Sequence, residues 1–349
     1  MTKRIGCWIP LLVVAALWVS HAAAQQAAAA PAAPPQLRSL RAPIPAPPIQ
    51  HVLLIGWDGV QRHHLLELLV AGKLPNLARL IDEGSFETIG VSGHTTDTKS
   101  GWAQILTGYD PDVTGVYSNR QYQPIPEGLS IFERVEKAFG TDKVFSAAVT
   151  GKAQHVGSLG PGLRKEGAAQ EETMRPGQPF HLTRKALDVW EGDKVREADE
   201  VGEPALKHIR STEGKRLFAF VHFSDPDHKG HAFGENSPEY EQAIVKCDEW
   251  LGKLVELLRS MGIYDSTGVY VVTDHGFDEG AKSHAYAPRS WLATNDKAVT
   301  SGGHMRDIAL TILVRLGIDV SKLEPAYDGR PLVDMDPFPL RRARAGAGS

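Results

Sequence analysis

The stretch Val269-Tyr270-Val271-Val272-Thr273-Asp274-His275-Gly276 decides the fold. Its apolar, β-branched run lies between Gly268 and Gly276, the composition of a buried strand, and it ends by delivering an acid and an imidazole side by side. Two other runs end in the same way. His51 to Gly56 leads into Asp58, and Leu217 to Phe223 leads into Asp225, Asp227, His228 and His231. Three buried strands that present carboxylates and imidazoles at their C-terminal ends describe a site at the edge of a parallel sheet, where α/β proteins hold ligands.

Outward from these strands, helix and strand signals alternate. Leu65 to Val70 and Pro75 to Glu83 read as helices, the second with proline in its first turn and Gly84 at its end. Val144 to Val149 is a further buried run, ending at Thr150-Gly151-Lys152. Ser237-Pro238 opens a long helix to Met261, with Ile244, Cys247, Leu251, Leu254 and Leu258 on one face. The alternation predicts an α/β fold with a mostly parallel central sheet and helices on both faces. Between Gly160 and Gly202 the pattern dissolves into Gly, Pro and charge, which predicts a small cap or loop over the site. In Asp227-His228-Lys229-Gly230-His231, the neighbouring Pro226 and internal Gly230 favour a loop over a helix.

The chain has 349 residues, 42% of them hydrophobic, and a formal net charge of −4, with no basic excess of the kind that nucleic acids select. Residues 1–24 have the anatomy of a signal peptide: Lys3 and Arg4, an apolar run from Trp8 to Val19, then Ala22-Ala23-Ala24. Cleavage there would leave Cys247 as the single thiol, no transmembrane anchor, and a periplasmic or secreted protein. Residues 25–49, rich in Ala, Pro and Gln, read as a linker. The expected catalytic domain is 50–336, with 160–202 as its possible cap and 337–349 as a flexible tail.

The candidate ligands are Asp58, Asp227, His231, Asp274, His275 and His284, oxygen and nitrogen donors with no thiolate. Such a set suits two borderline divalent metals, most naturally zinc. A metal pair about 3.5–4 Å apart clamps the attacking and leaving oxygens of an in-line displacement, and phosphoryl transfer is the reaction that most needs that clamp. Between Gly93 and Gly108 a polar loop turns into a helix near Lys99. Thr98 stands at its N-terminus, where free amides and the helix dipole favour an anion and a metal would favour the alkoxide. Taken alone, a threonine there reads better as a helix cap.

These motifs together resemble the alkaline phosphatase superfamily, and within it the type I phosphodiesterase and nucleotide pyrophosphatase branch, over roughly Val52 to Val320. The resemblance rests on the strand running into Asp58 and on Thr98 ten residues before Gly108 of Thr107-Gly108. It continues through Gly115-Val116-Tyr117-Ser118-Asn119, through Pro226-Asp227 with His231, and ends on Asp274-His275-Gly276. It implies that Asp58, Asp274, His275 and Thr98 hold one zinc, with Thr98 as covalent nucleophile. Asp227, His231 and a later histidine would hold the other. His284 is favoured for that place, because it follows Asp274-His275 within one loop, whereas His304 opens an apparent helix from Arg306 to Leu316. Asn119 would donate to a phosphoryl oxygen. Two departures stand out: Lys99-Ser100 replaces a frequent Phe-Pro after the nucleophile, and Thr114 replaces a common histidine.

The expected function is phosphoester hydrolysis through a phospho-threonine. Thr98 cannot become formylglycine, which disfavours a sulfatase. A silent metal-stabilised binder has no need of a poised nucleophile, and histidine beside each carboxylate cluster disfavours a calcium module. For the ester class, Lys152 is a candidate phosphoryl contact of the kind that some alkaline phosphatases present together with an arginine two residues on, but Gln154 stands in the arginine position. Diesters or pyrophosphate-linked nucleotides are therefore expected before monoesters, since an amide does not replace a bidentate cation.

Overall fold

The computed structural model describes residues 47–120, 123–166, 171–192, 194–287 and 289–333. The leader, most of the linker and the tail expected from the sequence lie outside the described residues.

In chain order the strands are β1 (His51–Trp57), β2 (Ser85–Gly90), β3 (Val144–Thr150), β4 (Gly162–Glu166), β5 (Glu171–Arg175), β6 (Val189–Glu191), β7 (Arg216–Phe223), β8 (Thr267–Val272), β9 (Arg289–Thr294) and β10 (Gly303–His304). The helices are α1 (Arg62–Val70), α2 (Pro75–Glu83), α3 (Thr98–Thr107), α4 (Pro111–Thr114), α5 (Ile131–Phe139), α6 (Ala153–Val156), α7 (Ala198–Arg210), α8 (Asp225–Phe233), α9 (Pro238–Ser260) and α10 (Met305–Arg315). Among the described residues, eight strands form one sheet in the order β10-β2-β9-β8-β1-β7-β3-β6, and β4 pairs with β5 apart from it. The pairings β8-β1-β7-β3-β6 are parallel and only β9 runs against its neighbours. The expected mostly parallel sheet is the one found.

Strand periodicity explains why these runs are apolar throughout. Leu53, Ile55 and Trp57 face one layer while Val52 and Leu54 face the other, and β7 and β8 alternate in the same way. One face is covered by α1, α2, α7 and α9, the other by α3, α5 and α10. The local signals are chemical. Ser130 and Glu133 form a reciprocal capping box on α5, and the Ser237 hydroxyl accepts from the Tyr240 amide at the start of α9.

Two expectations are corrected. The Asp227–His231 segment is not a loop but part of α8, because Pro226 falls in the first turn, where its missing N–H costs nothing. Gly230 is retained there for closeness: a Cβ would lie 2.6 Å from the Phe277 ring. The segment 160–202 is not simply a cap or loop. It holds the β4–β5 hairpin, then β6, which extends the main sheet beside β3, and then the start of α7, capped by Glu197 and Glu200. Among the described residues, no helix is long and apolar enough to cross a membrane.

Candidate active site

Strands β8, β1 and β7 lie side by side in register, Gly56 opposite both Val272 and His222, so their C-terminal ends coincide. Asp58, Asp227 and Asp274 follow those ends and are at most 3% exposed. The turn at Gly59 brings them close. Gly59 adopts φ +72°, its amide donates to Asp274 Oδ1 at 3.3 Å, and a Cβ there would meet the Asp227 side chain at 2.9 Å.

Helix α8 puts Asp227 and His231 one turn apart on one face, Oδ1 and Nε2 3.3 Å from each other. His231 Nδ1 lies 2.8 Å from the Lys282 carbonyl, an acceptor only, so that nitrogen carries the proton and Nε2 turns to the carboxylate. His275 is fixed in the same manner, with Nδ1 3.0 Å from the Gly276 carbonyl. Its Nε2 then faces Asp274 Oδ2 at 3.4 Å, Asp58 Oδ1 at 3.7 Å, Asp227 Oδ1 at 3.8 Å and the Thr98 hydroxyl at 3.3 Å. Those three carboxylate oxygens are buried and accept no hydrogen bond. Acceptors converging on acceptors in a dry place need a cation between them.

Among the described residues, one ammonium reaches these carboxylates, and it is too few. Lys152, 1% exposed, sets its ammonium on Asp227 Oδ2 and 3.5 Å from Asp58 Oδ2. Burial pushes all three carboxyls up. The ammonium overrules it for Asp58, held at about 2, and for Asp227, held well below its usual range. Asp274, buried and facing the other two carboxylates, is driven well above the ordinary value. One ammonium keeps two carboxylates ionised and leaves the third in deficit. The donor set therefore fits divalent metal ions by charge as well as by type.

The ligand atoms of Asp227, His231 and His284 lie within 4.8 Å of one another, and so do those of Asp58, Asp227 and His275. Asp227 thus belongs to both trios, where the sequence had assigned it to one centre. His284 stacks on His275 at 4.0 Å between ring centroids, and burial followed by the His275 field lowers its pKa to about 4, leaving a neutral imidazole. Its backbone is tied by the Thr96 hydroxyl, and its loop by Asp278, which accepts from the Tyr286 amide at 2.9 Å and the Ser283 hydroxyl at 3.2 Å. His304 lies elsewhere, capping α10 against Asp307 at the β10 edge of the sheet.

Thr98 is the first residue of α3. The Asp97 side chain does not cap the helix but accepts the Asn119 amide at 2.9 Å, while the Lys99 amide donates to Asn119 Oδ1 at 2.9 Å. Asn119 is thereby held with its amide nitrogen as the remaining donor. The sequence reading missed His222, wholly buried on β7, whose Nε2 stands 2.9 Å from Asp58 Oδ2 and leaves Oδ1 to face His275. The signal was available: His222 is the only polar residue inside Leu217 to Phe223.

The sequence pattern of the type I phosphodiesterase / nucleotide pyrophosphatase family matches residues 52–329. The chain belongs to that family. A human relative, bis(5'-adenosyl)-triphosphatase ENPP4, is 21% identical over 231 residues, 65% of this chain and 48% of its own. The chain spans about half the length of such curated relatives. Among solved structures, alkaline phosphatase from the Antarctic bacterium TAB5 superposes with a TM-score of 0.53 at 12% identity, over 78% of this chain and 99% of the other. Murine ectonucleotide pyrophosphatase / phosphodiesterase 5, solved as an inactive threonine-to-alanine variant in complex with AMP, gives 0.52 at 13%, over 77% and 95%. These likenesses establish the alkaline phosphatase-like fold.

Proposed function

We propose that this protein is an exported two-zinc phosphoester hydrolase that works through a phospho-threonine, with diesters and pyrophosphate-linked nucleotides as its preferred substrates. The observation that carries it is the meeting of Thr98 with His275 Nε2 at 3.3 Å beside three buried carboxylate oxygens that accept no hydrogen bond. Asp58, Asp274, His275 and Thr98 would hold one ion, and Asp227, His231 and His284 the other. Bound there, the ions supply the positive charge that favours an ionised Thr98 hydroxyl and a charged phosphoryl group.

The chain's own groups do the rest. Thr98 Oγ1, its proton given up to solvent, attacks phosphorus in line, the bond to the leaving oxygen breaks, and that oxygen takes a proton from solvent. Water then attacks the phospho-threonine and the threonine oxygen leaves. Asn119, its carbonyl occupied by the Lys99 amide, presents N–H to a non-bridging oxygen. Dipoles of the first amides of α3 favour the same negative charge.

Lys152 supports the diester reading. Its ammonium is engaged with Asp227 and Asp58, so it steadies the ligand carboxylates in place of meeting a phosphoryl oxygen, and Gln154 is exposed. A monoester, with one more charge on the transferred group, would gain most from a cation free to meet it. The inactive threonine-to-alanine relative bound to AMP supports both the nucleophile and a nucleotide substrate.

Thr98→Ala tests the proposal. The variant is expected to fold and to retain both metal ions by elemental analysis, yet to lose at least about 10³-fold in kcat with bis(p-nitrophenyl) phosphate. A variant within a few-fold of wild type sinks the nucleophile assignment.

A further inference from the structure

The loop that brings His284 to the site is fastened to the helix that carries Asp227 and His231, and a buried carboxylate makes the fastening. Glu235 follows Gly234, where α8 ends, and is 1% exposed. Its two oxygens serve two partners: Oε1 lies 2.8 Å from His64 Nδ1 on α1, and Oε2 accepts the Gly280 amide at 2.9 Å. The Glu235 amide donates to the Ala281 carbonyl at 2.9 Å. Lys282 completes the seam, its carbonyl 2.8 Å from His231 Nδ1 and its ammonium donating to the Ala232 carbonyl at 2.7 Å. Residues 280–282 are thus stitched to residues 231–235. His284 stands two residues beyond, its ring centroid 5.0 Å from that of His231. A loop turning through Gly280 at φ +65° has little stiffness of its own, so its course is set by what grips it. Burial opposes a charge on Glu235, and the bonds from His64 and Gly280 outweigh it, holding the carboxyl below its ordinary value.

We propose that Glu235 is a positioning residue for the second metal centre: through the Gly280 amide it sets where His284 stands opposite His231, and so governs the affinity of the Asp227, His231 and His284 trio without touching the ion. The inference rests on the two-metal reading above. Ligands from two separate segments bind an ion tightly only when both are held in place beforehand, since ordering a loop at the moment of binding subtracts from affinity. Asp58, Asp274 and His275 follow the ends of β1 and β8 and do not depend on the 280–282 seam, so the two centres should respond differently.

The test titrates metal-free wild type, Glu235→Ala, Glu235→Asp and Glu235→Gln with zinc against a chromophoric chelator, and follows the fold by urea unfolding. Glu235→Ala is expected to weaken one ion about 10–100-fold and to leave the other within about threefold, with turnover of bis(p-nitrophenyl) phosphate lost at limiting zinc and restored by excess. Glu235→Asp keeps the charge but is one methylene short of spanning His64 and Gly280. It should weaken the same ion, and it reports the role even where the alanine variant fails to fold. Glu235→Gln keeps an acceptor for Gly280 and offers N–H to His64 in the other tautomer, so it should recover most of the affinity. In a His284→Ala background, Glu235→Ala should leave the remaining ion unchanged, which assigns the affected centre. Equal weakening of both ions with a lower urea midpoint, or a further loss in the His284→Ala background, would make Glu235 a residue of the fold alone and overturn the proposal. Wild type that takes up fewer than two ions would defeat the two-metal reading itself. Two ions in wild type, with both Kd values unchanged in Glu235→Ala, would defeat the role of Glu235.

Discussion

The sheet buries charge at both ends, on opposite terms. On the side away from the site, past the end of β9, Asp296 Oδ2 accepts from Tyr270 Oη and Arg315 Nε, each at 2.7 Å, and Oδ1 accepts the Ala298 amide at 3.1 Å. Every oxygen there has a partner supplied by the fold. At the other end, Asp58, Asp227 and Asp274 each keep a buried oxygen that accepts no hydrogen bond. A satisfied buried carboxylate fastens the structure, whereas a convergent set short of donors has been kept for something that arrives.

Substitutions at the two ends should therefore move stability in opposite directions. Asp296→Ala strands the Arg315 guanidinium among its remaining contacts and is expected to cost about 3–5 kcal/mol in urea unfolding, with metal content per folded molecule unchanged. His284→Ala tests the functional end. It should release one metal equivalent and lower activity about 100-fold or more, while His304→Ala, which removes only a helix cap, stays within about twofold of wild type. The reverse pattern would move the second centre to the β10 edge. Asp274→Asn is the sharper contrast. A carboxyl whose folded pKa is raised costs stability at neutral pH, so neutralising it should stabilise the chelated protein by roughly 1 kcal/mol and weaken metal binding in the same variant. Destabilisation of the chelated protein would mean that Asp274 is paired as Asp296 is.

The smallest expected effect is in pH. Burial lowers both His155 and His284 to about 4, from an ordinary value of 6.5. The unfolded chain then binds more protons between those limits, so stability of the metal-free protein should fall as pH drops from about 6.5 to 4. His155→Gln should flatten that slope without altering stability at pH 8. An unchanged slope in His155→Gln would show that His155 is not held neutral in the fold.

The site was more legible than the elements around it. Asp58, Asp274 and His275 close apolar strands, so their position follows from strand period and chain direction alone. Helix α8 was hidden by Pro226 and Gly230, because first-turn placement and contact with Phe277 are tertiary facts. Strand β6 has three residues and no period of its own, and only pairing with β3 makes it a strand. Strand β2 reads Ser-Phe-Glu-Thr-Ile-Gly and is mostly half-buried, which leaves little hydrophobic contrast. Lys99 showed in the sequence only as a departure from a frequent Phe-Pro, since its burial comes from folding against Asn119. His284 and His304 could not be separated by type, only by which loop returns to α8.

The central claim is that Thr98 carries the phosphoryl group in mid-reaction. Acid quenching of the metal-loaded enzyme during turnover of bis(p-nitrophenyl) phosphate, followed by peptide mass spectrometry, reads it directly. The account predicts an arylphosphoryl adduct on the peptide containing Thr98, localised to that residue, and its absence in Thr98→Ala. Full turnover with no adduct on Thr98, and with the alanine variant equally active, would contradict it.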